Sequence, residues 1–285
     1  MLVLCTVIWG GTFPAVKYGL EAMSPWTLVC VRFTLAGFLF VPIYLSARQK
    51  FTARALYRGF LLGIIFVISF GLQTQGLIYT TPSRSAFLTE ALVLFVPLIS
   101  YLVSRKLPSQ YNLLGAILVI CGLYLLTSPG GLLHWNRGDW LTLGCAIAFS
   151  VYIIAVDLWS TPESQIILSA VQCFTVAAIA LPLALSEGFY VLPSFRLIGV
   201  LAYLVIPGTI VVVMLQMRYQ PQSTPARAGV IFALEPVFAM LYAVALSLEF
   251  FTWRGVFGAI VVTVGVVWSE AGKKMPAFFP TSRRS

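Results

Sequence analysis

The sequence predicts an all-α polytopic membrane protein, with ten transmembrane helices arranged as two inverted five-helix repeats. The 285 residues are 60% hydrophobic and only 9% charged, with a mean hydropathy of +0.95, whereas a soluble domain is about 25% charged. Ten apolar runs of bilayer-spanning length follow one another along the chain, and its second half repeats its first. This composition excludes a soluble enzyme, a disordered chain and a large extramembrane domain, and the strong hydropathy argues against an outer-membrane barrel.

Polar or turn-forming joints separate the ten runs, and no joint is long enough to hold a second domain. Several joints contain proline, as in Ser24-Pro25 and Thr81-Pro82. The predicted spans are 1–20, 26–47, 59–80, 83–103, 111–127, 138–158, 165–186, 196–217, 224–247 and 253–270. The first run has no basic segment before it, so we interpret it as a retained span and not as a cleaved signal peptide.

The net charge of +9 is interpreted as a topology signal, and no nucleic-acid partner is expected. Even-numbered joints and the C-terminal tail hold eleven basic residues, and odd-numbered joints hold five. Because basic residues concentrate on the cytoplasmic side, both termini are predicted to be cytoplasmic.

The sequence offers few residues that could bind a metal or a cofactor. The five cysteines all lie inside apolar runs without a Cys-x-x-Cys spacing, and His134 is the only histidine. A zinc site of ordinary ligands is therefore not expected, and neither is a cofactor.

The chain matches itself at an offset of 143 residues. Residues 114–119 lie over 257–262, and Arg84 falls on Arg227. Since the offset is half of the chain length, the whole chain is predicted to be two copies of one unit.

Each copy, 1–142 and 144–285, holds five predicted spans. An odd number of spans means that the second copy enters the membrane from the opposite face. The halves are then related by a pseudo-two-fold axis in the membrane plane, as in many secondary transporters. A substrate site between inverted halves can face either side of the membrane.

Short motifs occur in a fixed order along the whole chain. They are Trp9-Gly10 with Phe13 and Lys17, Pro25 with Arg32-Phe33, Leu72-Gln73 with Gly76-Leu77 and Thr80, Ser85 to Thr89 with Pro97, Arg227-Ala228, Leu234 to Val237, and Gly115 and Gly258. In this order and spacing the chain resembles the drug/metabolite transporter superfamily, specifically the EamA-type ten-span exporters. The resemblance implies export of amino acids, drugs or other small metabolites, typically across the bacterial inner membrane.

The chain departs from that family at two places. Arg105-Lys106 stands where the family often has an acid, and Asp157 stands where it is usually basic. The departures leave the fold prediction intact, but the substrate of a relative is not transferred to this chain.

Ionisable groups inside membrane spans are costly and are therefore candidate functional residues. Glu90 and Glu235 are the two acids well inside their spans. Pro236 is expected to kink the ninth span, and Pro97 lies in the corresponding region of the fourth; paired interruptions point to a central site. Two interpretations stay open for both acids, a polar patch facing the central cavity or an acid paired with an arginine between helices.

The predicted substrate-binding residues combine aromatic and polar side chains. They are Trp9, Phe13, Gln73, Tyr79, Thr89, Glu90 and Glu235. Gln73 and Gln75 lie two residues apart on one helix, so both are not expected to face one cavity. The candidates for gating or coupling are Pro97, Asp157 and Pro236, and the acids that could carry a coupled proton are Glu90, Asp157 and Glu235.

The leading hypothesis is a monomeric secondary transporter in the lipid bilayer that exports amino acids or related compounds by alternating access. The alternative is efflux of drugs or nucleoside-like compounds. No phosphate-binding Gly-x-x-x-x-Gly-Lys-Ser/Thr motif is present, so the energy source is either a proton gradient or the substrate gradient itself, and the two stay open.

An enzyme is not expected. An intramembrane protease needs a Ser/His dyad, two membrane-embedded aspartates or a His-Glu-x-x-His helix, whereas the single histidine lies in a joint and Asp139 lies at the edge of a span. A channel is a third interpretation, which saturable countertransport distinguishes from a carrier.

Overall fold

The computed structural model describes residues 1–47, 52–105, 109–126, 135–248, 250 and 252–271. Within these residues the chain is helical, and one isolated β-bridge joins Met23 to Val191. The helices are α1 (Leu2–Gly19), α2 (Pro25–Ala47), α3 (Ala53–Tyr79), α4 (Pro82–Thr89), α5 (Leu92–Ser104), α6 (Gln110–Leu126), α7 (Arg137–Trp159), α8 (Gln165–Ser186), α9 (Phe195–Val205), α10 (Val212–Tyr219), α11 (Pro225–Phe232), α12 (Glu235–Ala245) and α13 (Trp253–Ala271).

Seven helical stretches in the described part of the chain are long and apolar enough to cross a membrane. They are Pro25–Ala47, Ala53–Tyr79, Pro82–Val103, Arg137–Trp159, Gln165–Ser186, Phe195–Gln222 and Pro225–Ala245. Two shorter apolar helices, Gln110–Leu125 and Trp253–Ser269, and the 18-residue α1 lie beside them. The all-α membrane architecture is confirmed, and the count of ten spans stays a prediction.

The predicted fourth and ninth spans are each broken into two helices at matching positions. The bounds of α4 and α11 differ by 143 residues, the offset of the sequence repeat. Just after each break, a backbone amide donates its hydrogen bond to the carbonyl three residues earlier, instead of four as in an α-helix. The Val93 amide donates to the Glu90 carbonyl at 3.0 Å, and the Val237 amide donates to the Leu234 carbonyl at 3.1 Å. Both halves therefore carry one discontinuous helix in the same place.

A proline explains only one of these breaks. Pro236 lies in the first turn of α12, where its missing N–H group is tolerated and the preceding helix cannot continue through it. The residue at the matching position of the first half is Val93, and Pro97 lies inside α5, beyond the break at Glu90. The prediction that Pro97 marks the interruption of the fourth span is therefore wrong in position.

The last helices of the two halves, α6 and α13, cross where glycines allow their backbones to meet. A Cβ atom on Gly115 would lie 2.8 Å from the Gly265 carbonyl oxygen, and one on Gly122 would lie 2.8 Å from that of Gly258. The two contacts exchange under the repeat, because Gly115 matches Gly258 and Gly122 matches Gly265. This crossing has the symmetry that two copies of one unit would give.

The halves do not form separate cores. Each of the three buried apolar clusters combines residues from before and after the middle of the chain. Helices of opposite halves pack directly against each other, as α2 does against α8 and α3 against α7. The interface between the halves is therefore the interior of the molecule, where a ligand cavity would lie.

Candidate functional site

A cavity with about 420 Å³ of empty space, part of which is open to solvent, lies between the two halves. Eight helices line it, namely α1, α3, α4, α5, α7, α10, α11 and α12. Its wall is formed by Trp9, Thr12, Phe70, Gln73, Thr89, Leu92, Phe149, Ile153, Gln216, Phe232 and Glu235. Mostly apolar walls with a few polar groups are typical of small-molecule sites.

The broken helices deliver four of these residues. Thr89 and Phe232 are the last residues of α4 and α11, and Leu92 and Glu235 are the first residues of α5 and α12. Each pair occupies matching positions of the sequence repeat. The repeat therefore places two equivalent helix breaks against one cavity, as in transporters whose sites are formed by discontinuous helices.

Close packing of α1 against α12 positions the aromatic residues of the cavity wall. A Cβ atom on Gly10 would lie 2.6 Å from the Cβ atom of Phe238, so only glycine lets α1 come this close to α12. The Trp9 and Phe232 rings then meet edge to face with centroids 5.4 Å apart. Trp9 therefore lies beside a close approach of the α1 and α12 backbones at Gly10.

The two glutamines of α3 face different surroundings, as the sequence predicts. Gln73 lines the cavity, and its Nε2 atom lies 3.4 Å from the Thr89 hydroxyl oxygen. Gln75 instead donates to a carboxylate oxygen of Glu187 at 2.6 Å. Gln73 and Thr89 thus form one polar strip of the wall, held by a long and weak hydrogen bond.

Two of the predicted aromatic residues lie outside the cavity wall. Phe13 is fully buried in an apolar cluster that also contains Ala86. Tyr79 is the last residue of α3, about 9 Å along the helix axis beyond Gln73, and 49% of its surface is exposed. Neither residue is placed to contact a substrate in the cavity, because Phe13 lies in a core cluster and Tyr79 lies at the surface.

Glu90 lies beside the cavity and not on its wall. It is 1% exposed, and neither carboxylate oxygen has a hydrogen-bond partner in the described part of the chain. Its electrostatic neighbours are Glu235 and Cys145. Neither acid forms an ion pair with a described arginine or lysine, so the interpretation of a fold-setting ion pair finds no partner here.

The three gating and coupling candidates occupy different places. Pro236 is buried in the first turn of α12, next to the cavity residue Glu235. Asp157 is half-buried near the end of α7, and Pro97 is half-buried inside α5. Of the three, only Pro236 is adjacent in the chain to a residue of the cavity wall.

A mostly buried ion pair joins α4 to the start of α7, on the face where α3 ends. The Arg84 guanidinium donates to both carboxylate oxygens of Asp139, at 2.7 and 2.6 Å, and Asp139 has no exposed surface. The same carboxylate accepts from the Asn136 backbone amide at 2.8 Å in a capping box at the start of α7. Arg84 thus fixes α4 against the start of α7.

Two further cationic side chains donate hydrogen bonds to oxygen atoms elsewhere in the chain. Lys17 Nζ donates to the carbonyl oxygens of Leu77, at 2.6 Å, and Thr80, at 2.9 Å, where α3 ends. The buried Arg32 donates to the hydroxyl of Thr209 at 2.8 Å. Thr209 lies in a π-helical segment that interrupts the eighth span, a feature often found at functional sites.

One polar group of the wall escaped the sequence analysis. Gln216 lines the cavity, and its Nε2 atom donates to Gln220 Oε1 at 2.8 Å. Gln220 Nε2 in turn donates to the Ile153 carbonyl oxygen at 2.6 Å. The signal was present as two glutamines four residues apart, on one helix face, but Gln220 was assigned to the joint that follows.

Comparison with known families decides the identity. The model of the EamA-like transporter family matches residues 1–128 and 136–270. The chain belongs to the EamA-like transporter family. Its two matched segments are two copies of the family unit, and the predicted boundaries at 142 and 144 stay a prediction.

Relatives and a solved structure agree with this membership. An uncharacterized transporter of Archaeoglobus fulgidus is 32% identical over 266 residues, covering 93% of this chain and 83% of that protein. The uncharacterized inner membrane transporter YedA of Escherichia coli is 24% identical over 273 residues, covering 91% and 88%. A crystal structure superposes with a TM-score of 0.78 at 16% identity, covering 94% of this chain and 96% of the other, which shows a shared fold.

The EamA-like chain is therefore a multi-pass membrane transporter. The names of these relatives specify transport and no substrate.

Proposed function

We propose that this EamA-like chain is a secondary transporter that exports amino acids or related small metabolites by alternating access around the central cavity. Both termini lie in the cytoplasm, as the distribution of basic residues indicates. The observation that carries the proposal is the pair of matched helix breaks, which places Thr89 and Phe232, and Leu92 and Glu235, around one cavity.

The matched breaks favour a carrier. A site between two similar halves can open to either side when the halves exchange their conformations. Broken helices also supply the hinge that such an exchange needs, because the residues at the break absorb the change in backbone angles. A fixed pore would not require a break in both halves.

The chemistry of the wall favours a substrate that bears an ammonium group. Glu235 supplies a carboxyl group inside a wall that also contains the aromatic residues Trp9 and Phe232, and aromatic rings can attract a cation. Amino acids and amines carry such a group.

Counterflow in proteoliposomes tests the proposal. Vesicles containing the purified chain and a high internal concentration of unlabelled substrate should accumulate the labelled form transiently, and the rate should saturate. The panel contains amino acids, primary amines, nucleosides and aromatic drugs. Saturable counterflow with nucleosides or uncharged drugs alone would replace the substrate class by the alternative, and linear flux without counterflow would indicate a pore.

Glu90 is proposed as a proton-coupling carboxyl. A carboxylate buried without a partner costs several kcal/mol, so a protonated Glu90 suits this conformation. Its electrostatic neighbours are Glu235 and Cys145, and two adjacent carboxylates disfavour each other's charge. A substrate ammonium at Glu235 would relieve that repulsion and let Glu90 release its proton.

The variant Glu90→Gln keeps the shape of a protonated carboxyl and cannot release a proton. We expect its thermal midpoint in detergent to match that of the wild type, because no ion pair is lost. Substrate counterflow, which needs no net proton movement, should persist, whereas transport driven by an imposed pH gradient should be lost.

Glu163→Gln, at an exposed position in the joint between α7 and α8, is the matched control and should behave as wild type in both assays. Full pH-driven transport by Glu90→Gln would contradict the coupling role.

A further inference from the structure

The orientation of the Gln216 amide is fixed by its neighbours. The Ile153 carbonyl oxygen can only accept a hydrogen bond, so the Gln220 group that lies 2.6 Å from it is the NH₂ group. Gln220 then presents its own oxygen to Gln216, and the Gln216 NH₂ group donates to it at 2.8 Å. Each side-chain NH₂ group therefore donates to the next carbonyl oxygen, from Gln216 to Gln220 to Ile153. The side-chain oxygen of Gln216 takes no part in this chain of hydrogen bonds.

That free oxygen belongs to a buried residue of the cavity wall. Gln216 is buried, and its Oε1 atom has no hydrogen-bond partner in the described part of the chain. A buried acceptor without a donor is costly, and a group that supplies the donor gains the whole penalty back. With Glu235, the wall thus offers two acceptors, an amide oxygen and a carboxyl group.

We propose that Gln216, oriented by Gln220, is a specificity-determining residue that accepts a hydrogen bond from the N–H of a primary ammonium group on the substrate. This inference rests on the proposed function, since it assumes that the cavity is the substrate site. Glu235 and the aromatic rings attract any cation, including a quaternary ammonium. Gln216 adds a preference for a cation that carries N–H donors.

Two ligands separate these contributions. Phenethylammonium has three N–H donors, and its N,N,N-trimethyl analogue has the same ring and charge with none. A hydrogen bond between a charged donor and Gln216 Oε1 should make the wild type bind the primary ammonium at least about tenfold more tightly. Dissociation constants are measured by titration calorimetry on the full chain in detergent.

The test variant is Gln216→Met, which keeps the length of the side chain and removes the acceptor. The preference for the primary ammonium should fall to less than about threefold. A steric preference against the methyl groups would survive this change, because methionine fills the same space.

Gln172→Met is the matched control. Gln172 is equally buried, accepts from the Tyr152 hydroxyl at 2.9 Å, has an unpartnered Nε2 atom and lies outside the cavity wall. It should lower the thermal midpoint as Gln216→Met does, yet keep the wild-type preference.

An equal affinity of the wild type for both ligands, an undiminished preference in Gln216→Met, or no binding of either ligand would each overturn the inference. The proposed function is judged separately by counterflow. A chain that shows counterflow with amino acids but no preference for the primary ammonium keeps its function and loses this role of Gln216.

Discussion

Replacing Glu235 with glutamine should reduce counterflow of an ammonium-bearing substrate at least about tenfold. Glu235 is the one ionisable residue of the cavity wall in the described chain, and a hydrogen bond between its carboxylate and a substrate ammonium would contribute about 1.5–3 kcal/mol. Glutamine keeps the size of the side chain and removes the charge. Because Glu235 forms no ion pair with the described residues, the thermal midpoint should not fall.

Glu163→Gln serves again as the control, since it removes an exposed carboxylate from the same half of the chain. Unchanged counterflow in Glu235→Gln would remove the acid from the substrate site. A loss of counterflow together with a large drop in the thermal midpoint would assign the residue to folding instead.

Removing the carboxylate of Asp139 should have the largest effect on stability. Asp139→Ala breaks a two-pronged ion pair with Arg84, in which Asp139 is fully buried, and it also breaks the capping box at the start of α7. Removing one partner of a buried pair costs about 3–5 kcal/mol, and a cost near the lower end is expected because the Arg84 side chain is 17% exposed. The thermal midpoint in detergent should fall accordingly.

A surface ion pair provides the comparison. Glu21 lies 3.5 Å from Arg196, with side chains 62% and 59% exposed, and such pairs contribute about 0–1 kcal/mol. Glu21→Ala should therefore leave the midpoint nearly unchanged. The double variant Arg84→Ala with Asp139→Ala should lose less stability than the sum of the two single variants, because the two residues contact each other directly. Additive losses would contradict the account.

The sequence repeat predicted more of the site than any single motif did. The offset of 143 residues correctly relates the two helix breaks, yet only the second break has a proline beside it, Pro236. The first break, at Glu90, has no proline beside it, and Pro97 drew the prediction into α5, beyond the break. Without a proline beside it, the first break could not be located from the sequence.

The sequence predicted less well which side of each helix faces the cavity. Trp9, Gln73, Thr89 and Glu235 line the cavity as predicted from their position in the spans. Tyr79 does not, because membrane helices expose apolar side chains to lipid as well as to the core, and hydropathy alone does not separate the two faces.

Long-range polar pairs were also beyond the sequence. Arg84 and Asp139 are 55 residues apart and belong to different spans. The chain from Gln216 through Gln220 to Ile153 joins α10 to α7. Such partners depend on helix packing, which the order of spans does not specify.

Accessibility of the cavity from both membrane faces tests alternating access most directly. Phe232, on the cavity wall at the second break, is replaced by cysteine in a chain whose five native cysteines have been substituted, and a membrane-impermeant thiol reagent is applied to one face at a time. The account predicts labelling from either face, slowed in both cases by bound substrate, while a cysteine at the 97%-exposed Phe250 reacts from one face only and irrespective of substrate. Labelling of position 232 from a single face under all conditions would contradict alternating access around this cavity.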